Sequence, residues 1–514
     1  MRSSDNERTP LIAAIPAAPA PSVSSGSRPY GATLHPDNDE QYEGRTCLVG
    51  NHLAGESGED MPQFVILLTV SAGALAAGVF LGWTSPTEVP LVRNKAYGFA
   101  VSTEDFSWIA SMANMGASMM CILIQFLMKI IGRKRALLAM ILPHLVGWCL
   151  IIFAENVSMM LIGRFFLGAG GGPFCIVAPA YTAEIAQSWN RGKLGMLYQL
   201  MVTIGILIVY KVSAAVDVQL LSIICGAAPF VFLLIFFMPT GIKYFIEPNR
   251  VSDVRDGMEE LRDENICEKV ITFFQSFKQR ATIRALIICL GLMFFQQLSG
   301  INAVIFYTST IFDDANIAAE ATADTTIVGA IQVVTMVFTT FIVDKVGRRI
   351  LLMISDLFMA ISTFVLAVYF MLNKNDVTVV ENHSWIPVLA VCFFIGAYSI
   401  GYGPIPLLMV GELSASNVKT YVSPLAGGFN WLLAFLITKF FDNLMEALGI
   451  AGVFWLFSGL SLLGAVFVFF VVPETKGTTL AEIQLMLSGE EMRRYNAQDN
   501  PAMEDDEDTS ILVY

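Results

Sequence analysis

The chain has 514 residues, of which 55% are hydrophobic and only 15% charged, and its mean hydropathy is +0.62. A soluble domain cannot bury that much apolar surface, whereas a lipid bilayer can accept it. The formal net charge is −13, but residues 1–62 hold four Lys/Arg against nine Asp/Glu, and residues 473–514 hold three against ten. The acidity therefore belongs to two tails whose composition is typical of disorder, and it gives no support to a nucleic-acid partner.

Twelve apolar runs are each long enough to cross a hydrocarbon core of roughly 30 Å as a helix. Spans one to twelve are predicted, in chain order, at 64–83, 106–128, 136–154, 157–182, 194–213, 219–239, 283–307, 325–343, 350–372, 386–410, 420–441 and 452–472. The predicted fold class is an all-α membrane protein with twelve transmembrane helices. Short helices are also predicted at 252–264 and 479–486, the second opened by a capping box of Thr479 and Glu482.

The distribution of basic residues predicts the orientation of the spans. With both tails counted as inside, the inner loops carry 18 Lys/Arg and the outer loops five. The positive-inside rule therefore makes both tails cytoplasmic. Two N-glycosylation motifs, at Asn156 and Asn382, fall in loops predicted to face outward, where glycosylation is possible. Asn156 lies close to the predicted membrane surface.

The two halves of the chain repeat one another. A Gly followed by basic residues stands between spans two and three and again between spans eight and nine, and an acid precedes a base by seven residues after spans four and ten. Each half also ends with a proline. These pairs are Gly132 and Gly347, Glu184–Arg191 and Glu412–Lys419, and Pro239 and Pro473. They predict two pseudo-symmetric six-helix bundles related by an axis along the membrane normal.

The repeat gives five predicted segments. A disordered cytoplasmic tail (1–62) precedes the N-terminal bundle (63–240). A cytoplasmic linker (241–281) leads to the C-terminal bundle (282–473), and an acidic cytoplasmic tail (474–514) follows. The repeated charges at the cytoplasmic ends of the spans predict a gate that forms when the bundles close there. Its predicted members are Arg133, Glu184, Arg191, Asp344, Arg348, Glu412 and Glu474.

Several segments resemble the sugar porter family of the major facilitator superfamily, particularly animal facilitative glucose transporters and insect trehalose transporter-like proteins. They are Gly163–Gly168, Pro179–Ile185, Arg191-Gly192, Gln296–Tyr307, Gly403–Pro406 and Pro473–Gly477. The resemblance covers roughly 64–485, and the span-seven block Gln296–Tyr307 is its most specific part. It implies the major facilitator fold and transport of a sugar by alternating access.

The chemistry of a sugar agrees with the span-seven block. A sugar presents many hydroxyls and no charge, so its site needs amides that donate and accept, together with an aromatic face. Gln296, Gln297 and Asn302 are costly inside a membrane unless they face a wet cavity or join helices. Gly300 predicts a break that brings them together. The resemblance implies that these three residues contact the sugar, as do Gln199, Gln332, Asn430 and Trp431.

Other features favour ordinary structural roles. The run Gly168–Gly172 lies inside an apolar span, which favours close helix packing over phosphate binding. His144 and the eight cysteines are interpreted as core residues. No catalytic triad or metal-ligand spacing occurs in the sequence, so we expect no enzyme activity, no cofactor and no metal. Pro404 and Pro406 predict a break in span ten.

The sequence departs from the family pattern at several positions. Lys129 and Thr240 replace acids in the first half, whereas Asp344 and Glu474 keep them in the second. This difference predicts a weakened inward gate and fewer outward-open molecules. In the substrate site, Leu407 replaces an aromatic residue and Gln332 a shorter amide, which leaves the identity of the sugar open.

The position of a proton-coupling acid in span one is occupied by Phe80, which cannot relay a proton. We expect no carboxylate in the middle of any other span, which favours passive uniport. The leading interpretation is a facilitative transporter of a hexose or a trehalose-like disaccharide. The alternatives are a transporter of a polyol or another small organic solute, and a sugar sensor that does not transport.

The amino-terminal tail carries an acidic dileucine pattern at Glu7, Leu11 and Ile12. Sorting adaptors read such a pattern, and it would direct the chain to endosomal or lysosomal membranes. If the pattern is not used, the plasma membrane is expected. The predicted partners are a sugar, the lipid bilayer and this sorting adaptor.

Overall fold

The computed structural model describes residues 72–177, 191–236, 279–314, 321–375, 383 and 385–489. Within these ranges the chain is helical, with turns between the helices and no strand. The helices of the first half occupy 72–82, Thr84–Val92, Thr103–Ile131, Arg133–Ala139, Ile141–Ile152, Val157–Gly171, Arg191–Ser213, Val218–Gly226 and Ala228–Phe236. Short interruptions divide spans one, three and six into consecutive helices.

The helices of the second half repeat this plan. They occupy Arg280–Leu298, Ile301–Asp314, Ala321–Val346, Arg348–Asn375, Trp385–Ile400, Ile405–Leu413 and Ser416–Val471, followed by Leu480–Ser488. The long helix Ser416–Val471 covers spans eleven and twelve and contains a kink at Gly449, whose φ is +72°. The predicted capping box at the start of Leu480–Ser488 is present, with Thr479 and Glu482 bonded reciprocally.

Nine helices in the described ranges are long and apolar enough to cross a membrane, and one of them, Tyr421–Val471, has 51 residues. At about 1.5 Å per residue it is long enough to cross the membrane twice, once on each side of Gly449. Large apolar side chains such as Phe126, Leu142 and Phe470 are exposed on the outside of the helices, as lipid-facing residues are. The prediction of an all-α membrane fold is confirmed. The count of twelve stays a prediction, because spans one, four and six are described only in part.

The repeated glycine turns both have a positive φ angle. Gly132 separates Thr103–Ile131 from Arg133–Ala139 with φ +78°, and Gly347 separates Ala321–Val346 from Arg348–Asn375 with φ +104°. Positive φ is a conformation that only glycine adopts readily. The repeat found in the sequence therefore corresponds to a repeated turn, whereas the five segment boundaries stay predictions.

Arg164 holds together the first half around the interruption in span one. Its guanidinium is fully buried and donates to the Ile109 carbonyl at 3.1 Å, the Phe80 carbonyl at 2.9 Å and the Thr84 hydroxyl at 2.7 Å. It also lies 5.3 Å from the centre of the Trp83 ring. Because Phe80 and Thr84 flank Trp83, where the helix is interrupted, Arg164 bonds a carbonyl and a hydroxyl at that interruption.

The glycine-rich run of span four packs against its neighbours, as predicted. A Cβ atom placed on Gly168 would lie 1.7 Å from the carbonyl oxygen of Ala113, and one on Gly172 would lie 2.3 Å from the Ala117 side chain. Spans two and four therefore approach one another closely over about one turn. His144 is buried, with its ring edge-on to Phe80, which confirms its interpretation as a core residue.

The two halves contact one another on the side that the topology predicts to be extracellular. Lys439 in span eleven donates to the Ser107 hydroxyl in span two at 2.8 Å and lies 4.4 Å from the centre of the Trp108 ring. About two turns further along span two, Asn114 donates to the Thr438 hydroxyl at 3.2 Å. These bonds join the halves on one side of the cavity described next.

Candidate functional site

A cavity between the two halves contains all of the predicted substrate-binding residues. Its volume is about 80 Å³, which is room for several waters, since one water needs roughly 10–15 Å³ on this measure. The predicted residues among its lining are Gln199, Gln296, Gln297, Asn302, Gln332, Asn430 and Trp431. Both halves contribute, but the first supplies only Gln199 of this set.

The predicted break in span seven is present and brings the amides together. The helix Arg280–Leu298 ends just before Gly300, whose φ is +86°, and Ile301–Asp314 continues the span. A Cβ atom on Gly300 would lie 2.4 Å from the Phe457 ring, so the turn is also tightly packed. Because the helix restarts in a new direction, Asn302 reaches Gln297 and its Nδ2 donates to Gln297 Oε1 at 2.5 Å.

The amides form a continuous chain of hydrogen bonds from span seven to span eleven. Gln297 Nε2 donates to Asn430 Oδ1 at 2.9 Å, and Asn430 Nδ2 donates to Gln296 Oε1 at 2.5 Å. Gln296 Nε2 in turn donates to the Tyr402 carbonyl at 2.5 Å. Each buried amide is thus satisfied without a charge. A ligand hydroxyl can therefore exchange with one of these bonds, one neutral hydrogen bond for another.

Trp431 connects the halves across the cavity. Its indole nitrogen donates to the Sγ atom of Cys175 in span four at 3.2 Å, and both residues line the cavity. Leu407 lines the same space, at the position where an aromatic residue was expected. Trp431 therefore remains the candidate for stacking on a sugar ring, while Leu407 offers only an aliphatic contact.

The interruption in span ten forms one wall of the site. Pro404 and Pro406 begin the second part of the span, which is divided into Trp385–Ile400 and Ile405–Leu413 as predicted. The loop between them places the Tyr402 carbonyl against Gln296, and the Tyr398 hydroxyl accepts from the same Nε2 atom at 3.3 Å. Backbone atoms that the break frees from helical bonding thus become part of the site.

Sequence reasoning missed three polar or polarisable residues of the lining, namely Tyr198, Tyr398 and Cys175. Tyr198 adjoins the predicted Gln199, and Tyr398 lies just before the span-ten break. Both tyrosines could have been predicted as lining residues from these positions. Cys175 has no such signal, because a buried cysteine in an apolar run looks the same wherever its helix faces.

The described members of the predicted gate form a charged cluster within the second half. Arg348 Nη2 donates to Asp344 Oδ1 at 3.0 Å and to Glu412 Oε1 at 3.2 Å, so it joins spans eight, nine and ten. A nearby guanidinium favours the ionised form of a carboxyl group. Arg348 therefore stabilises the charged form of Glu412 at the end of span ten.

Glu474 completes this cluster at the start of span nine. Its Oε1 accepts from the backbone nitrogen of Arg348 at 3.0 Å, and its Oε2 accepts from that of Arg349 at 3.1 Å. A carboxylate at this place stabilises the amino-terminal end of a helix, where unpaired N–H groups point outward. A Cβ atom on Gly347 would lie 2.6 Å from Glu474 Oε2, so the glycine also makes room for the acid.

Several predicted sites cannot be compared with the structure. Glu184, Asn382, Glu7, Leu11 and Ile12 lie outside the described residues, as does Thr240. The backbones of Lys129, Arg133 and Arg191 are helical, but their side chains are also outside the description. Asn156 is described, and its side chain caps the helix Val157–Gly171 by accepting from Met159 N at 2.9 Å. Glycosylation of Asn156 and Asn382 stays a prediction.

The expectation that no carboxylate lies within another span is wrong. Asp356 is inside the span-nine helix Arg348–Asn375 and is fully buried. The error arose because one acid in a long apolar run does not interrupt the run. The structure shows that this acid faces the protein interior and not lipid.

The fold is that of a helical membrane protein with a polar cavity between two halves. The fold is similar to the E. coli xylose transporter XylE in a partially occluded inward-open conformation, with a TM-score of 0.64, 21% identity, and 82% of this chain and 100% of that one covered. The proton:xylose symporter XylE bound to 6-bromo-6-deoxy-D-glucose gives a TM-score of 0.65 at 21% identity, with 83% and 99% covered. These likenesses concern the fold alone.

The chain belongs to the sugar (and other) transporter family, whose pattern it matches over residues 45–487. It is 32% identical to the facilitated trehalose transporter Tret1 of Bombyx mori over 456 residues, covering 85% of this chain and 89% of that protein. It is 34% identical to Tret1 of Polypedilum vanderplanki, with 83% and 88% covered. For Tret1 of Aedes aegypti the identity is 33%, and the chain spans only 55% of that relative. The sugar porter resemblance is thereby confirmed.

Proposed function

We propose that this protein is a facilitative transporter that carries a sugar, trehalose or a hexose, across a membrane by alternating access. The observation that supports this most strongly is the amide chain of Gln296, Gln297, Asn302 and Asn430 in a cavity between the halves. Neutral amides match sugar hydroxyls, which need donors and acceptors but no counter-charge. The curated relatives named as facilitated trehalose transporters support the same class of substrate.

Transport requires the cavity to open to each side in turn. The contacts of Lys439 with Ser107 and of Asn114 with Thr438 join the halves at the predicted outer end. They must break for the cavity to open outward. At the predicted cytoplasmic end, the cluster around Arg348 holds spans eight, nine and ten as one body, which suits a half that moves as a unit.

The proposal includes a passive mode of transport. At Phe80 in span one, the backbone carbonyl bonds to Arg164 and the side chain packs on His144. An apolar ring there offers no proton acceptor to the substrate cavity. Net sugar flux should therefore follow the sugar gradient and should not need a proton gradient.

We place both tails in the cytoplasm, and the protein in the plasma membrane or, through Glu7, Leu11 and Ile12, in an endosomal or lysosomal membrane reached by a sorting adaptor. The excess of basic residues in the predicted inner loops supports the orientation. Removal of the dileucine pattern by Leu11→Ala with Ile12→Ala should shift the protein toward the cell surface. An unchanged distribution would count against the sorting signal.

Uptake of radiolabelled trehalose, glucose, a polyol and a small organic acid into liposomes containing the purified protein tests the function. The proposal expects saturable uptake of at least one sugar, in excess of the polyol and the acid, that persists after addition of a protonophore. Preference for the polyol would make the protein a polyol transporter. Sugar binding without flux would make it a sensor.

A further inference from the structure

The fully buried Asp356 lies in a small cluster of unpaired oxygen atoms outside the substrate cavity. Among the described residues, neither oxygen of its carboxyl group has a hydrogen-bond partner of acceptable geometry, and the buried hydroxyls of Tyr402 and Ser461 also lack one. Asp356 and the Tyr402 hydroxyl face each other. A buried polar group without a partner is uncommon in proteins, so this group of oxygens requires an explanation.

The packing of span twelve leaves room for this acid. A Cβ atom on Gly464 would lie 2.9 Å from Asp356 Oδ2 and 3.1 Å from Oδ1, so any larger residue would collide with the carboxyl. Further along the same contact, the Ser458 hydroxyl donates to the Ala360 carbonyl at 2.9 Å. Ser461 lies between these two contacts on span twelve, and its hydroxyl is therefore on the side that faces Asp356.

Among the residues that the structure describes, no cation of the elements packed on span nine compensates this carboxylate. Span twelve (452–472) contains no charged residue, and the helix Ile405–Leu413 contributes only the acid Glu412, ten residues beyond Tyr402. The span-eight helix contributes Asp344 and Lys345 at its cytoplasmic end. On span nine itself the nearest cation along the chain is Arg349, seven residues away, which is about 10 Å along a helix. Tyr402 and Tyr398 are the titratable groups that span ten brings to this region. An ionised Asp356 would therefore be a buried charge with no counter-ion.

We propose that Asp356 is a proton-binding site, and that it carries a proton in the conformation seen here. A protonated carboxyl is neutral and can donate to the Tyr402 hydroxyl, so proton binding removes both the uncompensated charge and an unpaired oxygen. No bond other than O–H forms, and the proton comes from water. The site is separate from the cavity, and in this proposal the proton regulates the protein and is not carried along with the sugar.

The site is connected to the substrate cavity through the break in span ten. The backbone nitrogen of Tyr402 donates to the hydroxyl of Ser355, the neighbour of Asp356, at 3.2 Å, and that hydroxyl donates to the Ala397 carbonyl at 2.7 Å. The Tyr402 carbonyl accepts from Gln296, which lines the cavity. Loss of the proton places a charge against Tyr402 and disfavours this arrangement of the break.

Proton and sugar binding are therefore linked, and the linkage has a definite sign. The neutral acid favours the arrangement that holds Gln296 in the cavity, so sugar binding is strengthened at low pH and weakened as pH rises through the titration of Asp356. Conversely, bound sugar favours retention of the proton by the same factor. This coupling rests on the proposed sugar transport, whereas the bound proton itself does not.

The pH dependence of sugar exchange tests the coupling. Exchange of labelled trehalose or glucose is measured in liposomes with the same pH on both sides, from pH 5.5 to 9.5, for the wild type, Asp356→Asn and Asp217→Asn. Asp217 is an exposed acid in the first half and serves as the matched control. We expect KM to rise at least fivefold with pH in the wild type and in Asp217→Asn, and to stay low and constant in Asp356→Asn, which imitates the protonated acid.

An Asp356→Asn variant with the wild-type pH dependence would overturn the proposal. Sugar exchange that requires sodium ions in the wild type but not in Asp356→Asn would also overturn it, because the acid would then bind sodium and not a proton. Infrared spectroscopy gives a readout that needs no transport. The carbonyl band of a protonated carboxylic acid should be present in the purified wild type at pH 7 and absent from Asp356→Asn, and Tyr402→Phe should shift it. If the band is present but no sugar exchanges, the proposed function fails and the proton site stands. If both proteins lack the band, the proton site fails.

Discussion

Asn430 Nδ2 in span eleven donates to Gln296 Oε1 in span seven at 2.5 Å, while its Oδ1 accepts from Gln297 at 2.9 Å. One amide thus bonds two successive residues of another span, which is possible because both face the cavity at the end of a broken helix. This relationship makes Asn430 the centre of the proposed sugar site.

Replacement of Asn430 by alanine should raise KM for sugar about tenfold or more. It removes a proposed sugar contact and leaves groups on Gln296 and Gln297 without a partner, and each such buried group costs about 1–3 kcal/mol. Since about 1.4 kcal/mol corresponds to tenfold in affinity, the effect should be easily measured by sugar exchange. The double variant with Gln297→Ala should lose less than the sum of the two single losses. Strict additivity would show that the two amides do not act as a unit.

Trp431 should contribute through its aromatic face more than through its indole N–H. Trp431→Phe, which keeps an aromatic ring, should raise KM by less than about twofold, and Trp431→Ala should raise it roughly twofold to tenfold, in line with about 0.5–1.5 kcal/mol for an aromatic contact. Cys175→Ser keeps an acceptor for the indole nitrogen and serves as the control. A loss in Trp431→Phe as large as that in Trp431→Ala would mean that the cross-half bond to Cys175, and not stacking, is what matters.

Glu474 should stabilise the folded protein, whereas Thr240, at the equivalent position of the first half, has no carboxylate that could do so. Glu474→Gln weakens the charged cap on the helix Arg348–Asn375 and should lower the free energy of unfolding by about 0.5–2 kcal/mol. Thermal unfolding of the purified protein in detergent gives the measurement. Thr240→Gln, an amide at the equivalent first-half position, is the matched control and should change little. Equal effects of the two changes would contradict the asymmetry.

The first-half gate should be strengthened when its missing acids are restored. Lys129→Asp with Thr240→Glu supplies two carboxylates beside the basic run that follows Gly132. The double variant should shift the population toward the outward-open state. Spin labels at the cytoplasmic ends of the halves should then report shorter distances. Unchanged distances would contradict the predicted gate.

The contact of Lys439 with Ser107 should hold the cavity closed at its predicted outer end. Lys439→Met removes the donor to Ser107 and the cation from the Trp108 ring, a contact worth about 0.5–2 kcal/mol. The predicted result is a larger outward-open fraction, seen as longer distances between labels at the outer ends. Ser107→Thr, which keeps a hydroxyl acceptor, should change the distances little. If Lys439→Met leaves them unchanged, Lys439 does not hold the halves together.

The sequence was enough to predict the helical spans, the repeat and the breaks at Gly300 and Pro404, because apolar length, duplicated motifs and helix-breaking residues are local signals. The seven substrate residues were taken from local chemistry and family resemblance, and the structure brings all of them to one cavity. Their contact with sugar stays a prediction.

The features that sequence reasoning missed depend on which way a helix faces. Asp356 and Cys175 lie in apolar runs, and only packing shows that one is buried beside Tyr402 and the other lines the cavity. Arg164 is similar, because its three acceptors come from spans one and two and are separated from it by 55 to 84 residues. No local pattern could identify such partners.

The most direct test of the central claim is trehalose and glucose counterflow in liposomes at equal pH and zero membrane potential, with the wild type compared with Asn430→Ala. The account predicts that the wild type transiently accumulates labelled sugar against unlabelled sugar inside, without any ion gradient, and that Asn430→Ala does so about tenfold more weakly at low sugar concentration. Equal counterflow by the two proteins, or none by the folded wild type, would contradict it.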